Sequence, residues 1–190
     1  MRLILNRQGR QALTGKIGLS ANLASPGIIN VKWSGTVTNT GTASQAFVVT
    51  VLKDSVVLGT VAINGGAALA PGASSTPSTP VFSTDVPGGI VATIIARLDS
   101  LPLPGVTNLA SISKKVSGPK FTAGQQVHVR FPQCALFSDF FGTVQSISVY
   151  QQAVDCDTAL PLDFVWAFYN VVFSDPRINP IVVFQECCLE

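Results

Sequence analysis

Residues Ile29–Thr38 alternate so regularly that they leave the backbone little choice of conformation. Ile29, Val31, Trp33 and Val37 fall on one side, and Asn30, Lys32, Ser34, Thr36 and Thr38 on the other. A period of two sends successive side chains to opposite faces of an extended backbone, and β-branched and aromatic residues suit a pleated, half-buried surface. The run stops at Thr38-Asn39-Thr40-Gly41-Thr42, where Asn and Gly supply turn geometry.

The pattern recurs along the first two thirds of the chain. Gln45–Lys53 places Phe47, Val49 and Val51 on one face, and Asp54-Ser55 turns it into Val56–Ile63, a hairpin by length and composition. The Ser/Thr/Pro-rich stretch from Leu69 to Pro80 cannot be helical, because proline removes donors and restricts the residue before it. Ile90–Leu98 is almost wholly apolar and reads as a central strand buried on both sides. Thr107–Val116 reads as a last, edge-like strand. Regularly spaced strands separated by turn signals predict a β-sandwich.

Gly118-Pro119 marks a boundary. Beyond it lie most of the phenylalanines and Trp166, in a second set of strands: Val127, Val129 and Phe131 inward on one, then Phe141–Val149, with Gly142 permitting a bend or bulge. Phe164–Phe173 forms a long aromatic strand, Asp175-Pro176-Arg177 a turn, and Ile181–Gln185 the closing strand. Gln151–Leu162 is expected to be a long loop or insertion. The chain is thus expected to be all-β in three parts: an N-terminal arm (1–12), a sandwich (13–117) and a small barrel (119–190).

Two resemblances give these modules a sharper form. Gly35-Thr36-Val37-Thr38-Asn39-Thr40-Gly41-Thr42-Ala43, then Val51-Leu52-Lys53-Asp54, then Leu69-Ala70-Pro71-Gly72 resemble immunoglobulin-like domains of the CARDB type. Such domains recur as adhesive or spacer modules in bacterial and archaeal surface proteins. The order Phe121-x-x-Gly124-Gln125-x-Val127, Phe141-Gly142-Thr143-Val144-x-x-Ile147 and Tyr169-Asn170-Val171-Val172-Phe173, with a final short strand, resembles SH3-like small barrels. Those serve as peptide-binding, nucleic-acid-associated or virion-assembly modules. Together the resemblances imply an immunoglobulin-like β-sandwich followed by an SH3-like β-barrel, and fold alone does not fix function.

Composition bounds the function classes. Apolar residues make up 47% and charged residues 12% of 190, which excludes disorder and leaves a surface carried by Ser, Thr, Asn, Gln and Gly. Met1–Arg7 returns to charge after three apolar residues, shorter than a secretory signal requires, and no run approaches the length of a bilayer span. Read this way, the chain is made in a cytoplasm and stays soluble. Charge is uneven: residues 1–118 carry nine basic against three acidic side chains (+6), and 119–190 three against seven (−4). Such asymmetry biases how copies meet.

No enzymatic constellation emerges, and no catalytic residue, cofactor or metal is expected. His128 has neither a nucleophile nor an orienting acid nearby in sequence and is expected at a surface or interface. Asp155, Asp157 and Asp163 are weighed as a cation site and read instead as a solvated acidic loop. Gly65-Gly66 and Gly88-Gly89 lack the lysine or helix start of a phosphate loop. Cys134, Cys156, Cys187 and Cys188, separated by 22, 31 and 1 residues, match no zinc spacing; free thiols are expected, ahead of a Cys134–Cys156 bridge. Cys187 and Cys188, as neighbours on a strand, would point to opposite faces. Nucleic-acid binding is disfavoured, because the basic module is poor in aromatics and the aromatic module is acidic.

The expectation that follows is a non-enzymatic virion structural protein of a bacteriophage, decorating or cementing a capsid or belonging to a tail. Its partners would be other virion proteins and copies of itself, with no small-molecule substrate and no membrane. Candidate interface residues are Arg2, Arg7 and Arg10 in the basic arm, and Trp166, Phe168 and Tyr169 on the aromatic strand. The rival is a bacterial or archaeal cell-surface adhesion or spacer module, which predicts disulfides. A third reading is an intracellular scaffold that takes peptide in a groove lined by the same aromatics.

Overall fold

The computed structural model describes residues 12–21, 27–101, 108–130, 140–175 and 181–190. Regular structure there is all strand, apart from two short 3₁₀ turns at Ile63–Gly66 and Glu186–Cys188. The protein is therefore all-β, as the alternation requires. It divides into two compact units, one over 1–18, 31–82 and 94–113, the other over 19–30, 83–93 and 114–190.

The first unit draws on two sheets. One joins β1 (Ala12–Ala21), β2 (Ile28–Thr38) and β5 (Ser74–Ser75), and β6 (Phe82–Asp85) also pairs with β2. In the other, β4 (Val56–Ala62), β3 (Ala46–Lys53), β7 (Val91–Leu101) and β8 (Ala110–Ser117) lie in that order as part of an eight-stranded sheet. Val31, Trp33 and Val37 are fully buried on β2, as the alternation demands, and Phe47, Val49, Val51, Ile94, Ala96 and Leu98 are fully buried on the second sheet. This gives the unit its sandwich-like core. β1 and β2 approach so closely that a Cβ on Gly15, whose φ is +132°, would lie 2.1 Å from the Ser34 carbonyl oxygen; only glycine fits there.

Local details follow the residues. Asp54, at φ 53°, turns β3 into β4, which pair from Val48↔Ala62 to Lys53↔Val56. Asn39 is fully buried and satisfies its polar atoms locally. Its amide donates to the carbonyls of Ala43 (2.9 Å) and Leu69 (2.7 Å), and its Oδ1 accepts from Gly41 N–H (3.0 Å). One Asn thus fastens the turn after β2 to the Leu69–Gly72 loop. Strand β7 is less symmetric than expected: Ala92, Ile94, Ala96 and Leu98 are buried, but Thr93, Ile95 and Arg97 on its other face are half-buried, and Ile90 and Val91 are exposed. The polar side chains on that second face keep it in reach of solvent.

The second unit centres on β9 (Gln126–Val129), β10 (Phe140–Val154), β11 (Pro161–Phe173) and β12 (Ile181–Gln185), each antiparallel to the next. After the 3₁₀ turn the last residues return to β9: His128 N–H donates to Glu190 O (2.9 Å), Glu190 N–H to His128 O (3.0 Å), and Arg130 N–H to Cys188 O (3.0 Å). Val127, Val129, Val144, Ala167, Tyr169, Val171, Phe173, Phe184 and Leu189 pack into one core with Phe121. Edge-to-face ring pairs hold it, Phe121–Tyr169 at 5.4 Å and Phe173–Phe184 at 5.9 Å.

Three features depart from expectation. Half of Gln151–Leu162 is strand, because β10 runs to Val154 and β11 begins at Pro161, leaving 155–160 as the turn. The polar, exposed Gln151 and Gln152 gave no hydrophobic signal, yet they pair with Trp166 and Val165. Next, the irregularities in β10 fall at Val144/Ser146, Ile147/Val149 and Gln152/Val154 rather than at Gly142. Gly142 is instead required because a Cβ there would lie 2.4 Å from Val171 Cγ1. Finally, Gly118 carries more than a boundary: it pairs with Gly88, and a Cβ on it would sit 2.0 Å from Val86 O. The arm residues Arg2, Arg7 and Arg10, and also Phe131, Cys134, Pro176 and Arg177, lie outside the described residues.

Candidate functional site

The aromatic strand β11 sends its expected interface residues to different places. Tyr169 is fully buried in the core of the second unit. Its hydroxyl donates to Glu186 Oε2 (2.9 Å) and accepts from the backbone N–H groups of Lys120 (2.9 Å) and Phe121 (3.3 Å). Glu186 itself is 6% exposed and also accepts from Lys120 N–H at 3.3 Å. Burial drives its carboxyl above the ordinary 4.5, against the opposing pull of those hydrogen bonds. Burial, then the charge of Glu186, raises the Tyr169 and Tyr150 hydroxyls well above the usual phenol range. Among the described residues, the buried Tyr150 hydroxyl has no hydrogen-bond partner. Trp166, on the opposite face of β11 from Tyr169, is 8% exposed, stacks edge-to-face on Phe164 at 6.0 Å and has no partner for its indole N–H among the described residues, while Phe168 is half-buried. No single groove collects Trp166, Phe168 and Tyr169.

The cysteines overturn the expectation of free thiols. Cys156 and Cys187 form a disulfide with Cα atoms 6.1 Å apart, Cys188 is also disulfide-bonded, and no described cysteine is free. The 3₁₀ turn at Glu186–Cys188 replaces the strand that would have pointed neighbouring thiols apart. It gathers the sulfurs of Cys156, Cys187 and Cys188 within 4.8 Å of one another. The bridge fastens the 155–160 turn to the C-terminal segment. No spacing rule would have found this pairing, because it depends on β10 and β11 being long enough to carry Cys156 back to the 3₁₀ turn.

The remaining candidates are structural in their contacts. Asp155 closes its own turn, accepting from Thr158 N–H (2.8 Å), Thr158 Oγ1 (2.9 Å) and Asp157 N–H (3.0 Å), and these bonds lower its carboxyl below the usual range. Asp163 pairs with Lys115, which lowers it likewise. His128 stacks on the exposed Phe141 ring at 4.5 Å, and Arg130 pairs with Glu190.

The first unit holds an open depression of about 290 Å³ lined by Leu52, Asp54, Ser55, Ile95, Arg97, Asn108 and Ser111. Its geometry rests on Asp99, which is 1% exposed and accepts from Thr50 Oγ1 (3.1 Å), Arg97 Nε (2.9 Å) and Asn108 N–H (2.9 Å). Burial alone would raise the Asp99 carboxyl; the Asn108, Arg97 and Thr50 contacts outweigh it and hold the group below 3.8. The sequence reading did not single out Arg97 or Asn108. The cue was an isolated Arg-x-Asp inside an apolar strand, a costly placement unless the charges meet.

Compared with protein-family models, curated proteins and solved structures, the chain shows no match. Among the described residues, no helix is long and apolar enough to cross a membrane.

Proposed function

We propose that this protein is a non-enzymatic structural component of a bacteriophage virion, set on the particle's exterior as a capsid decoration or cement protein or as an outward-facing tail part. In this reading residues 13–117 form an immunoglobulin-like sandwich and 119–190 an SH3-like barrel. Support for the barrel comes from the order β9–β10–β11–β12, the 3₁₀ turn, and the return of Cys188–Glu190 to β9. Two sheets with a shared pattern of inward apolar residues support the sandwich.

The observation that carries the exterior placement is the Cys156–Cys187 bridge. Disulfides persist on virion and cell surfaces and are reduced in the cytosol. A bridge in a chain that already buries its own core points to service outside the cell, on an exposed surface. The same bridge favours a second reading, a cell-surface adhesion or spacer module of a bacterium or archaeon. Fractionation separates them. Particles from a lysate, banded by density and digested without reductant, should contain this protein with Cys156 and Cys187 in one linked peptide pair. Recovery only from the cell envelope supports the second reading, and a reduced protein confined to the cytosol contradicts both.

A further inference from the structure

We infer that the depression beside Arg97 is a binding site for a neutral sugar ring, such as the terminal residue of a surface glycan. Arg97 is held along one edge of its guanidinium. Its Nε donates to the buried Asp99 carboxylate at 2.9 Å, and Asp99 is fixed in turn by Thr50 and by the Asn108 backbone. Among the described residues, its two amino groups have no partner, while its side chain keeps 18% exposure at the wall of the depression. A guanidinium clamped on one edge presents its other donors with little ordering left to pay, which is what a preoriented ligand contact requires.

The surrounding chemistry selects the ligand. Asp54 and Arg97 line the depression with one charge of each sign, so it has neither the excess positive charge an anion needs nor the excess negative charge a cation needs. Ser55 and Ser111 contribute hydroxyls that both donate and accept, and Asn108 adds an amide with one of each. Leu52, 5% exposed, supplies an apolar floor. Mixed donors and acceptors around an apolar base match a ring that carries hydroxyls on its edge and C–H groups on its face. About 290 Å³ lies at the small end of ligand sites, which run from roughly 300 to 1,000 Å³, and suits one ring. Asn108 (φ 42°) and Asp54 (φ 53°) hold their places at the rim in left-handed backbone, which Asn and Asp tolerate better than other side chains.

The test uses the full chain and four probes: the methyl glycosides of glucose, galactose, mannose and N-acetylglucosamine, followed by amide shifts and saturation transfer in NMR. At least one glycoside should bind with a dissociation constant on the order of 1 mM, shifting the amides of Ser55, Arg97, Asn108 and Ser111. Ser111→Leu, at an exposed strand position, should weaken that binding at least tenfold with the unfolding midpoint unchanged. Asn108→Gly, which suits the left-handed backbone, should weaken it severalfold. The inference is overturned if none of the four glycosides moves these amides, if Ser111→Leu binds as the parent does, or if acetate or phosphate produces the same shifts. None of these outcomes bears on whether the protein belongs to a virion.

Discussion

The Tyr169 hydroxyl lies 2.9 Å from Glu186 Oε2 and 2.9 Å from the Lys120 backbone nitrogen, donating to the first and accepting from the second. This one group joins β11, the 3₁₀ turn and the segment entering β9, so the second unit's core is pinned by a polar contact as well as by its rings. Tyr169→Phe should take the hydroxyl acceptor from the Phe121 N–H and one donor from Glu186 in a buried setting, leaving Lys120 N–H only its longer bond to Glu186, at a cost of roughly 1–3 kcal/mol. Urea unfolding of parent and variant measures it.

Glu186 gives the fold an unusual pH signature. Its folded pKa is raised by burial, so its contribution to stability is fully present below the unfolded value of 4.5 and is lost as pH rises through the raised folded value. Glu186→Gln removes that titration. The stability of the parent relative to Glu186→Gln should therefore fall between about pH 4 and about pH 8, as read from urea midpoints. A relative stability that rises over this interval contradicts the assignment.

Asp99 behaves in the opposite sense. Its folded pKa is held below 3.8, so its contribution is present above that value and is lost as pH falls through the lowered one. Asp99→Asn keeps the shape but weakens the bonds to Arg97 and the Asn108 N–H, for a loss of roughly 1–3 kcal/mol at neutral pH. The gap between parent and variant should narrow in acid. Thermal unfolding at several pH values below neutrality checks the direction.

The Cys156–Cys187 bridge closes a loop with a sequence separation of 31 residues. In the chain-entropy account a loop of that length is worth about 3–4 kcal/mol. Cys156→Ser/Cys187→Ser should lower the unfolding free energy by about that amount, and added dithiothreitol should then change it less than it changes the parent.

A methyl group at Gly118 would lie 2.0 Å from the Val86 carbonyl oxygen and 2.3 Å from that of Pro87. Backbone atoms cannot yield as a flexible side chain would. Gly118→Ala should cost about 3 kcal/mol or more, whereas Gly124→Ala meets nothing nearby and pays only for its φ of +85°. The pair separates crowding from backbone strain in one denaturation experiment.

Much of the fold was written in local pattern. Ile29, Val31, Trp33 and Val37 announce a half-buried strand because period two has only one structural meaning, and Asp54-Ser55 announces its hairpin. What local pattern could not carry was pairing. Gln151 and Gln152 look like loop because their side chains face solvent, yet their backbone is paired across to Trp166 and Val165. Cys156 and Cys187 meet only through that extended hairpin, so no reading of spacing reaches the bridge. The Arg97–Asp99 contact was similarly hidden: alternation puts both side chains on one face, but it does not say that Thr50 and Asn108 complete the set. Tyr169 and Trp166 differ for the reverse reason. Both were marked as aromatic, and only packing decides that Tyr169 is committed to Glu186.

We propose above all that this protein is a building component of a particle's exterior. Mass spectrometry of density-banded particles, with copy number measured against a known capsid protein and intact particles exposed briefly to protease, tests it most directly. The claim predicts many copies per particle, each carrying its internal Cys156–Cys187 bridge and cleaved without loss of the capsid. A protein absent from the banded particles, or present but fully shielded from protease, contradicts it.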